Sequence, residues 1–441
     1  MPATPNASPP ANRRRVGSAT FRSLRHHNYR LWFFGQGLSL IGTWMQNMAQ
    51  QVLVYRLTDS AAALGAINFI GLIPTLVLAP LGGSIADRVP KRTILLITQG
   101  VMLCQALLLA GLTWTDTIQV WHVYTLAFFL SIAHAFDMPA RQAIIVDMVE
   151  GKEDLTNAIA LNATIFNAAR AMGPALAGLA VAATGEGTAF FINSLSFVAV
   201  IISLLMMRNL PQRPPQRPTR LVGHMAEGIH YIGQQQTIKV LMSMVAVSAF
   251  LSMPYTTLMP VFANKVLGKS AEPTVAFLCQ GDMPLLQCQT PQAVPLGLLL
   301  TMVGIGALVG SLLVASLPDT ARRGRMLTIG NLSFPLALLL FSLSRSFLLS
   351  VALLILVGMA FVWQNSLANT LLQLVVPDEL RGRVMGVYGL SLNTTMRLGG
   401  MQAGLVADRI GAPLSVGVGA AVSLVYGLFV ALRYPKVREL R

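Results

Sequence analysis

Apolar runs of about 20 residues, the length that crosses a bilayer's hydrocarbon core, recur from one end of this chain to the other. Twelve can be read: 31–54, 61–81, 93–112, 120–137, 158–182, 189–207, 238–259, 295–317, 326–344, 347–367, 384–407 and 413–432. A helix that is apolar on all sides belongs inside a membrane or a large core. Composition favours the membrane. Of 441 residues, 54% are hydrophobic and 11% charged, where a soluble protein carries about a quarter charged. The expected fold is an all-α integral membrane protein with twelve transmembrane helices.

The net charge of +15 invites a nucleic-acid reading, but the basic residues sort by loop, not by patch. With a cytoplasmic N-terminus, Arg13, Arg22, Arg25, Arg88, Lys91, Arg92, Arg213, Arg217, Arg322, Arg325, Arg381, Arg383 and Arg438 all fall on the cytoplasmic side. The opposite side keeps Arg56, Lys265, Lys269, Arg345 and Arg409, and Arg170 and Arg397 fall inside spans. This is the positive-inside bias; it places both termini in the cytoplasm and implies no nucleic-acid partner. The first run follows a Pro/Ala/Arg-rich tail and is long enough to stay as a span, so no cleaved signal is expected.

Six runs lie on each side of a linker. The expected organisation is a basic cytoplasmic tail over 1–28, a six-helix bundle over 29–208, a linker over 209–237, a second six-helix bundle over 238–433 and a tail over 434–441. The stretch Pro211–Pro218 is too rich in proline for a helix. Met225, Ile229 and Ile232 then fall on one helical face, suited to the membrane interface. The halves echo one another: Asn162, Arg170, Gly173 and Gly178 in the fifth run, Asn393, Arg397, Gly400 and Gly404 in the eleventh. Such repeats around a central pathway are a transporter architecture. The loop Pro318–Arg325, where a second copy of the Gly83–Arg92 loop would fall, keeps its bases but not its core.

Gly83-Ser-Ile-Ala-Asp87-Arg88-Val-Pro90-Lys91-Arg92 is a short charged loop between two apolar runs. It resembles the loop between the second and third helices of major facilitator transporters, Gly-x-Leu-Ala-Asp-Arg-x-Gly-Arg-Lys, with Ile85 for Leu and Pro90 for Gly. The resemblance implies a cytoplasmic gate of Gly83, Asp87, Arg88, Lys91 and Arg92, in which Asp87 faces the N-terminus of the eleventh helix. An acid there gains about 0.3–1 kcal/mol from the helix dipole. Asp378, Arg381 and Arg383, just ahead of that helix, are the expected partners. A solvated charge cluster would explain the bases but not the Gly82-Gly83 pair followed by Asp87.

Further segments carry the resemblance: Phe21–Trp32, Gly42–Gln46, Pro139–Gln142, Leu155–Asn162 and Val376–Arg383. They are similar to the branch of bacterial major facilitator exporters that includes the enterobactin exporter, also described as transmembrane secretion effectors. Gly173-Pro174-Ala-Leu-Ala-Gly178 resembles the Gly-Pro-x-x-Gly-Gly motif of exporting members, with Ala177 where a glycine is expected. Pro174 frees a carbonyl and small residues let helices approach, so a plain packing face is the competing account.

An arginine in mid-span costs at least about 2.5–3.5 kcal/mol on insertion scales and faces the bundle interior or an aqueous cavity. Arg170 and Arg397 either attract an anionic substrate or cap backbone groups of their own halves. Gln46 and Gln50 in the first run, and Gln364 and Asn365 in the tenth, line single helical faces, as a midplane substrate site or inter-helix hydrogen bonding would require. His134 and Asp137 share one face and suit a proton relay, unless Arg141 is simply the ion-pair partner of Asp137. Cys279 and Cys288 fall in the long external loop, where an oxidising compartment would join them. The six histidines and three cysteines show no metal-ligand spacing, and no phosphate-binding glycine loop is present, so no cofactor, metal or direct ATP use is expected.

The expected activity is export of a small organic molecule, siderophore-like or amphiphilic and drug-like, across the bacterial inner membrane by alternating access. Proton antiport is what the resemblance implies. A lipid flippase or a non-transporting sensor of the same fold is the alternative. A less favoured alternative, a multi-span membrane enzyme, would need a polar acid/base cluster at one membrane face, and the chain offers none beyond the gate-like charges.

Overall fold

The computed structural model describes residues 21–86, 88–208, 210, 221–279, 288–317 and 322–440. Asp87, residues 1–20, the Pro211–Pro218 stretch, 280–287 and 318–321 lie outside the described residues. Among those described there is no strand.

The helices are α1 His27–Thr58, α2 Ala61–Ile70, α3 Leu72–Ala86, α4 Lys91–Trp114, α5 Val120–Met148, α6 Lys152–Thr184, α7 Glu186–Met206 and α8 Leu221–Gln234. They continue as α9 Gln236–Leu251, α10 Tyr255–Val261, α11 Gly268–Cys279, α12 Ala293–Ala315, α13 Arg323–Leu343, α14 Phe347–Val375, α15 Asp378–Ile410 and α16 Ala412–Arg433. Two expected spans are broken. The second divides into α2 and α3 at Gly71, and the seventh divides near Pro254, which has no N–H for the helix ladder.

Ten stretches are long and apolar enough to cross a membrane. The other two expected spans, α1 and α15, have 32 and 33 residues but are more polar. At about 1.5 Å per residue each exceeds the roughly 30 Å hydrocarbon core. Both pack deep in the bundle, α1 on α6 and α7, α15 on α2 and α9. On α1 the polar side chains Gln36, Ser39, Gln46 and Gln50 are buried against protein, whereas on α15 Asn393 is exposed and the buried positions are apolar or small apart from Tyr388.

Within the first half, α4 packs on α5 and α7, and α3 packs on α5. Within the second, α14 packs on α12 and α13, and α13 on α16. The repeat is visible in the turns. Gly185 joins α6 to α7 at φ +80° and Gly411 joins α15 to α16 at φ +89°, six spans apart. An L-residue side chain is strained at such angles, so glycine is required at both equivalent corners.

The linker helix α8 does not simply lie on the membrane interface. Gly228 packs against the Arg383 carbonyl, Glu227 pairs with Arg383, and Tyr231 and Ile232 join the core beside α15, while Ile229 stays exposed. The missing side chain at Gly228 is what lets α8 dock on protein.

Candidate functional site

Two helix pairs make most of the contact between the halves among the described residues, α6 with α12 and α2 with α15, with smaller contacts of α10 on α1 and α2 and of α15 on α3. Both seams lie at the far end of the bundle, away from the end that holds residues 21–29 and 434–440. Small residues make them. A Cβ on Gly297 would stand 2.8 Å from the Gly178 Cα and 2.9 Å from the Pro174 carbonyl oxygen. A Cβ on Gly304 would meet the Ala171 Cα at 2.4 Å. In the second seam, a Cβ on Gly65 would fall 2.7 Å from the Gly400 oxygen, and one on Gly404 2.4 Å from the Ala61 oxygen. The Gly173–Gly178 motif is therefore a contact between halves, with Gly173 itself packed on Trp44 of α1. The Arg-then-Gly echo of α6 and α15 marks the same construction twice.

Polar latches complete the far end. The Asp408 carboxylate, at the end of α15, accepts hydrogen bonds from the Ala61 N–H at 2.7 Å, the Ala62 N–H at 3.1 Å and the Ser60 hydroxyl at 2.6 Å. It thereby caps the N-terminus of α2 from the other half. Lys265 donates to Asp59 at 2.8 Å, again across the halves. That ammonium holds the Asp59 carboxyl below its ordinary value. An aspartate lowered in this way stays ionised at neutral pH and loses its pairing only as pH falls below the ordinary aspartate value of about 3.9. Protonation of Asp59 thus does not operate this latch near neutrality.

Toward the other end the seams stop. Burial along α6 is dense from Ala169 to Ala182, and along α15 from Gly399 to Ala407, with few buried residues before those points. The two charged segments expected to clasp are not brought together. Lys91 pairs with Asp147 at 2.9 Å, Arg92 donates to the Leu205 carbonyl at 2.9 Å, and Arg88 is exposed. Asp378 pairs with Arg381 in its own turn, Arg381 also donates to the Gln373 carbonyl, and Arg383 pairs with Glu227. Lys91, Arg92, Asp378 and Arg381 are engaged within their own halves and Arg383 by the linker helix. Gly82, not Gly83, makes the close approach of this region. A Cβ there would lie 2.2 Å from the Ala135 oxygen, whereas nothing stands within 4 Å of one on Gly83.

The two in-span arginines, matched by register, differ in surroundings. Arg397 donates from Nη1 to the Asn68 carbonyl at 3.1 Å. The break at Gly71 makes room for it, since a Cβ at Gly71 would sit 2.1 Å from that nitrogen. Arg397 therefore caps a carbonyl of the opposite half, because α15 lies against α2. Arg170 has no hydrogen bond or ion pair to another described residue. Its guanidinium carbon lies 5.2 Å from the Phe361 ring centroid in α14 and 5.9 Å from that of Trp44 in α1.

The amides expected to line a pathway are mostly turned into the halves. Gln46 donates to Gln105 at 2.9 Å and accepts from Asn193 at 2.7 Å, joining α1, α4 and α7. Gln364 donates to Asn331 at 2.8 Å and accepts from Ser248 at 3.0 Å, joining α14, α13 and α9. Gln46, Gln50 and Gln364 are buried. An amide inside a bundle must find partners, and neighbouring helices supplied them first. Asn365 is half-buried, accepts from the Tyr388 hydroxyl at 2.7 Å, and borders a cleft with Phe361 and Leu392.

Asp137 is 1% exposed and fully engaged. It accepts from Thr98 at 3.0 Å, Gln99 at 2.9 Å and Arg141 at 2.8 Å, so the ion-pair account fits its geometry. His134 stands one turn earlier on α5. Cys279 and Cys288 form a disulfide with Cα atoms 5.4 Å apart.

Two features escaped sequence reasoning. Asp408 stands in the last turn of α15, where its own helix dipole disfavours an acid; that misfit is the available signal. Asp154 is the second. It is buried in the first turn of α6 and paired with Arg22, Arg25 at 2.6 Å and His26 at 2.8 Å, while Ser23 donates to its carbonyl at 2.7 Å. The segments Phe21–Trp32 and Leu155–Asn162, separate in sequence, are the two sides of this clasp.

A family model described as transmembrane secretion effector matches residues 18–440. The staphyloferrin A transporter of Staphylococcus aureus (strain NCTC 8325 / PS 47) is 25% identical over 388 residues, covering 87% of this chain and 90% of that protein. Macrolide efflux protein A of Streptococcus pyogenes is 22% identical, covering 88% and 92%. Enterobactin exporter EntS of Shigella flexneri is 24% identical over 417 residues, covering 90% and 86%. Among solved structures, nucleoside transporter NupG superposes with a TM-score of 0.67 at 15% identity, covering 93% of this chain and 99% of that one, a likeness of fold.

Proposed function

Because the chain belongs to the transmembrane secretion effector family of major facilitator exporters, we propose an alternating-access mechanism for its export of a small organic molecule. The cargo we assign is amphiphilic, as the named cargoes of the siderophore and macrolide relatives suggest. The observation that carries the mechanism is the one-ended seam. Glycine contacts and the Asp408 and Asp59 latches join the halves at the far end, while the charged segments at the other end are satisfied separately.

With both termini in the cytoplasm of a bacterial cell and the chain in its inner membrane, this arrangement is the inward-facing state. Loading would occur from the cytoplasm into the gap between residues 29–208 and 238–433. Rocking these bundles would part the far seams and bring Gly83–Arg92 against Asp378–Arg383. In that second state Asp87 would cap α15 at one end as Asp408 caps α2 at the other. Protons are the proposed counter-ion. His134 and Asp137 are the titratable pair on the fifth helix, and their use would require Arg141 to leave Asp137 during the cycle.

The test is a comparison of metabolites retained by cells lacking the protein with those released by cells containing it, followed by transport of the retained compound in proteoliposomes under an imposed pH gradient. Uptake that follows the gradient is the expected result. Movement of lipid alone would make the protein a flippase, and no movement of any compound would make it a sensor.

A further inference from the structure

We infer that the cargo is an organic anion with an aromatic or other apolar body, and that Arg170 is the residue that holds its anionic group. The inference rests on the exporter reading above and names its substrate class.

Arg170 sits 18 residues into α6, about 27 Å along the helix axis at 1.5 Å per residue, close to the bilayer centre. On α6 it directly precedes Ala171, whose backbone meets Gly304 of the other half. A charge at that depth needs a partner or a function. Arg397, its counterpart by register, has a partner in the Asn68 carbonyl. Arg170 makes no hydrogen bond or ion pair to a described residue; beside it stand the Tyr255 side chain and two ring faces, Trp44 from the first half and Phe361 from the second. Those rings hold the guanidinium in place through cation–π attraction while leaving its five N–H donors without acceptors.

No carboxylate among the described residues pairs with it. Of the chain's 17 acidic residues, Asp137 alone falls within the twelve apolar runs, at the very end of one. Its carboxylate is already held by Thr98, Gln99 and Arg141. The middle of the bundle therefore carries positive charge without a fixed counter-charge, and a cationic cargo would be repelled there. A carboxylate or phenolate supplies the missing acceptor in the paired geometry guanidinium prefers. The ring faces beside it suit an apolar body. Because Arg170 contacts both halves, an anion bound to it lies at the plane between them, where a carrier must release its load.

The experiment uses the purified full-length protein in liposomes and two ring-system dyes of opposite charge, carboxyfluorescein and ethidium. Carboxyfluorescein transport with little ethidium transport is expected. Arg170→Gln should lower carboxyfluorescein affinity by about 10- to 100-fold, and Arg170→Lys should keep part of it. Arg170→Lys also serves if Arg170→Gln does not fold, with monodisperse elution as the check. Phe361→Leu should weaken binding without changing the preference for the anion. Ethidium transport equal to that of carboxyfluorescein, or an equal loss of both dyes in Arg170→Gln, would overturn the inference and leave the exporter reading intact. Failure of the wild-type protein to move either dye would count against the exporter reading, and this inference would fall with it.

Discussion

Asp408 at the end of α15 accepts the backbone N–H of Ala61 at the start of α2, 2.7 Å away and in the other half of the molecule. An acid in the last turn of its own helix is disfavoured by that helix's carbonyl end, and the same acid at another helix's first turn is favoured. The residue is therefore worth most when the far end is shut. Replacing a capping side chain with alanine costs about 0.5–2 kcal/mol.

Asp408→Ala should then raise the far-end-open population by about 2- to 30-fold. Spin labels at Asp116→Cys and Lys269→Cys, in a Cys104→Ala background, would report it as a longer distance between halves. An unchanged distance distribution would mean that Asp408 caps α2 without biasing the cycle.

The recurring apolar runs and the repeated Arg-then-Gly pattern were legible because each is periodic in the chain itself. Gly178 and Gly404 could be recognised as small residues on a helix face, and the structure adds only the partners they meet. The amides were legible as polar faces but not as to what they face. Gln46 on α1 reads the same whether it lines a pathway or reaches Gln105 and Asn193, since those partners are 59 and 147 residues away. Asp408 was passed over because its partner is a backbone N–H, which has no letter in the sequence.

Gly297→Ala should block closure of the far end. The new Cβ would meet backbone atoms of Gly178 and Pro174, which cannot swing aside as a side chain can. Overpacking of this kind typically costs about 1–3 kcal/mol, so the inward-facing state should lose about 5- to 150-fold in population. Transport should fall by a similar order while the amount of protein in the membrane is unchanged. Wild-type transport in this variant would show that α6 and α12 need not touch during the cycle.

Gln46→Leu should lower stability and leave cargo choice alone. The change strands Asn193 and Gln105 inside the first half, and a buried polar group left unpaired costs about 1–3 kcal/mol. Thermal unfolding in detergent should shift downward by several degrees, with the relative rates for anionic and cationic dyes unchanged. An altered rate ratio at normal stability would return Gln46 to the substrate pathway.

Asp87→Asn should act at the opposite end and in the opposite sense to Asp408→Ala. If Asp87 caps the N-terminus of α15 only after the halves have closed over the cytoplasmic side, removing its charge weakens the outward-facing state and leaves the inward-facing latches untouched. The gain forgone is about 0.3–1 kcal/mol for an exposed acid and up to about 2 kcal/mol for a partly buried one. The distance between the Asp116 and Lys269 labels should therefore shorten or stay short in Asp87→Asn, lengthen in Asp408→Ala, and return toward wild type in the double variant. Efflux should fall in Asp87→Asn at unchanged membrane insertion. Unimpaired efflux, or a distance shift of the same sign in both single variants, would remove Asp87 from the gate.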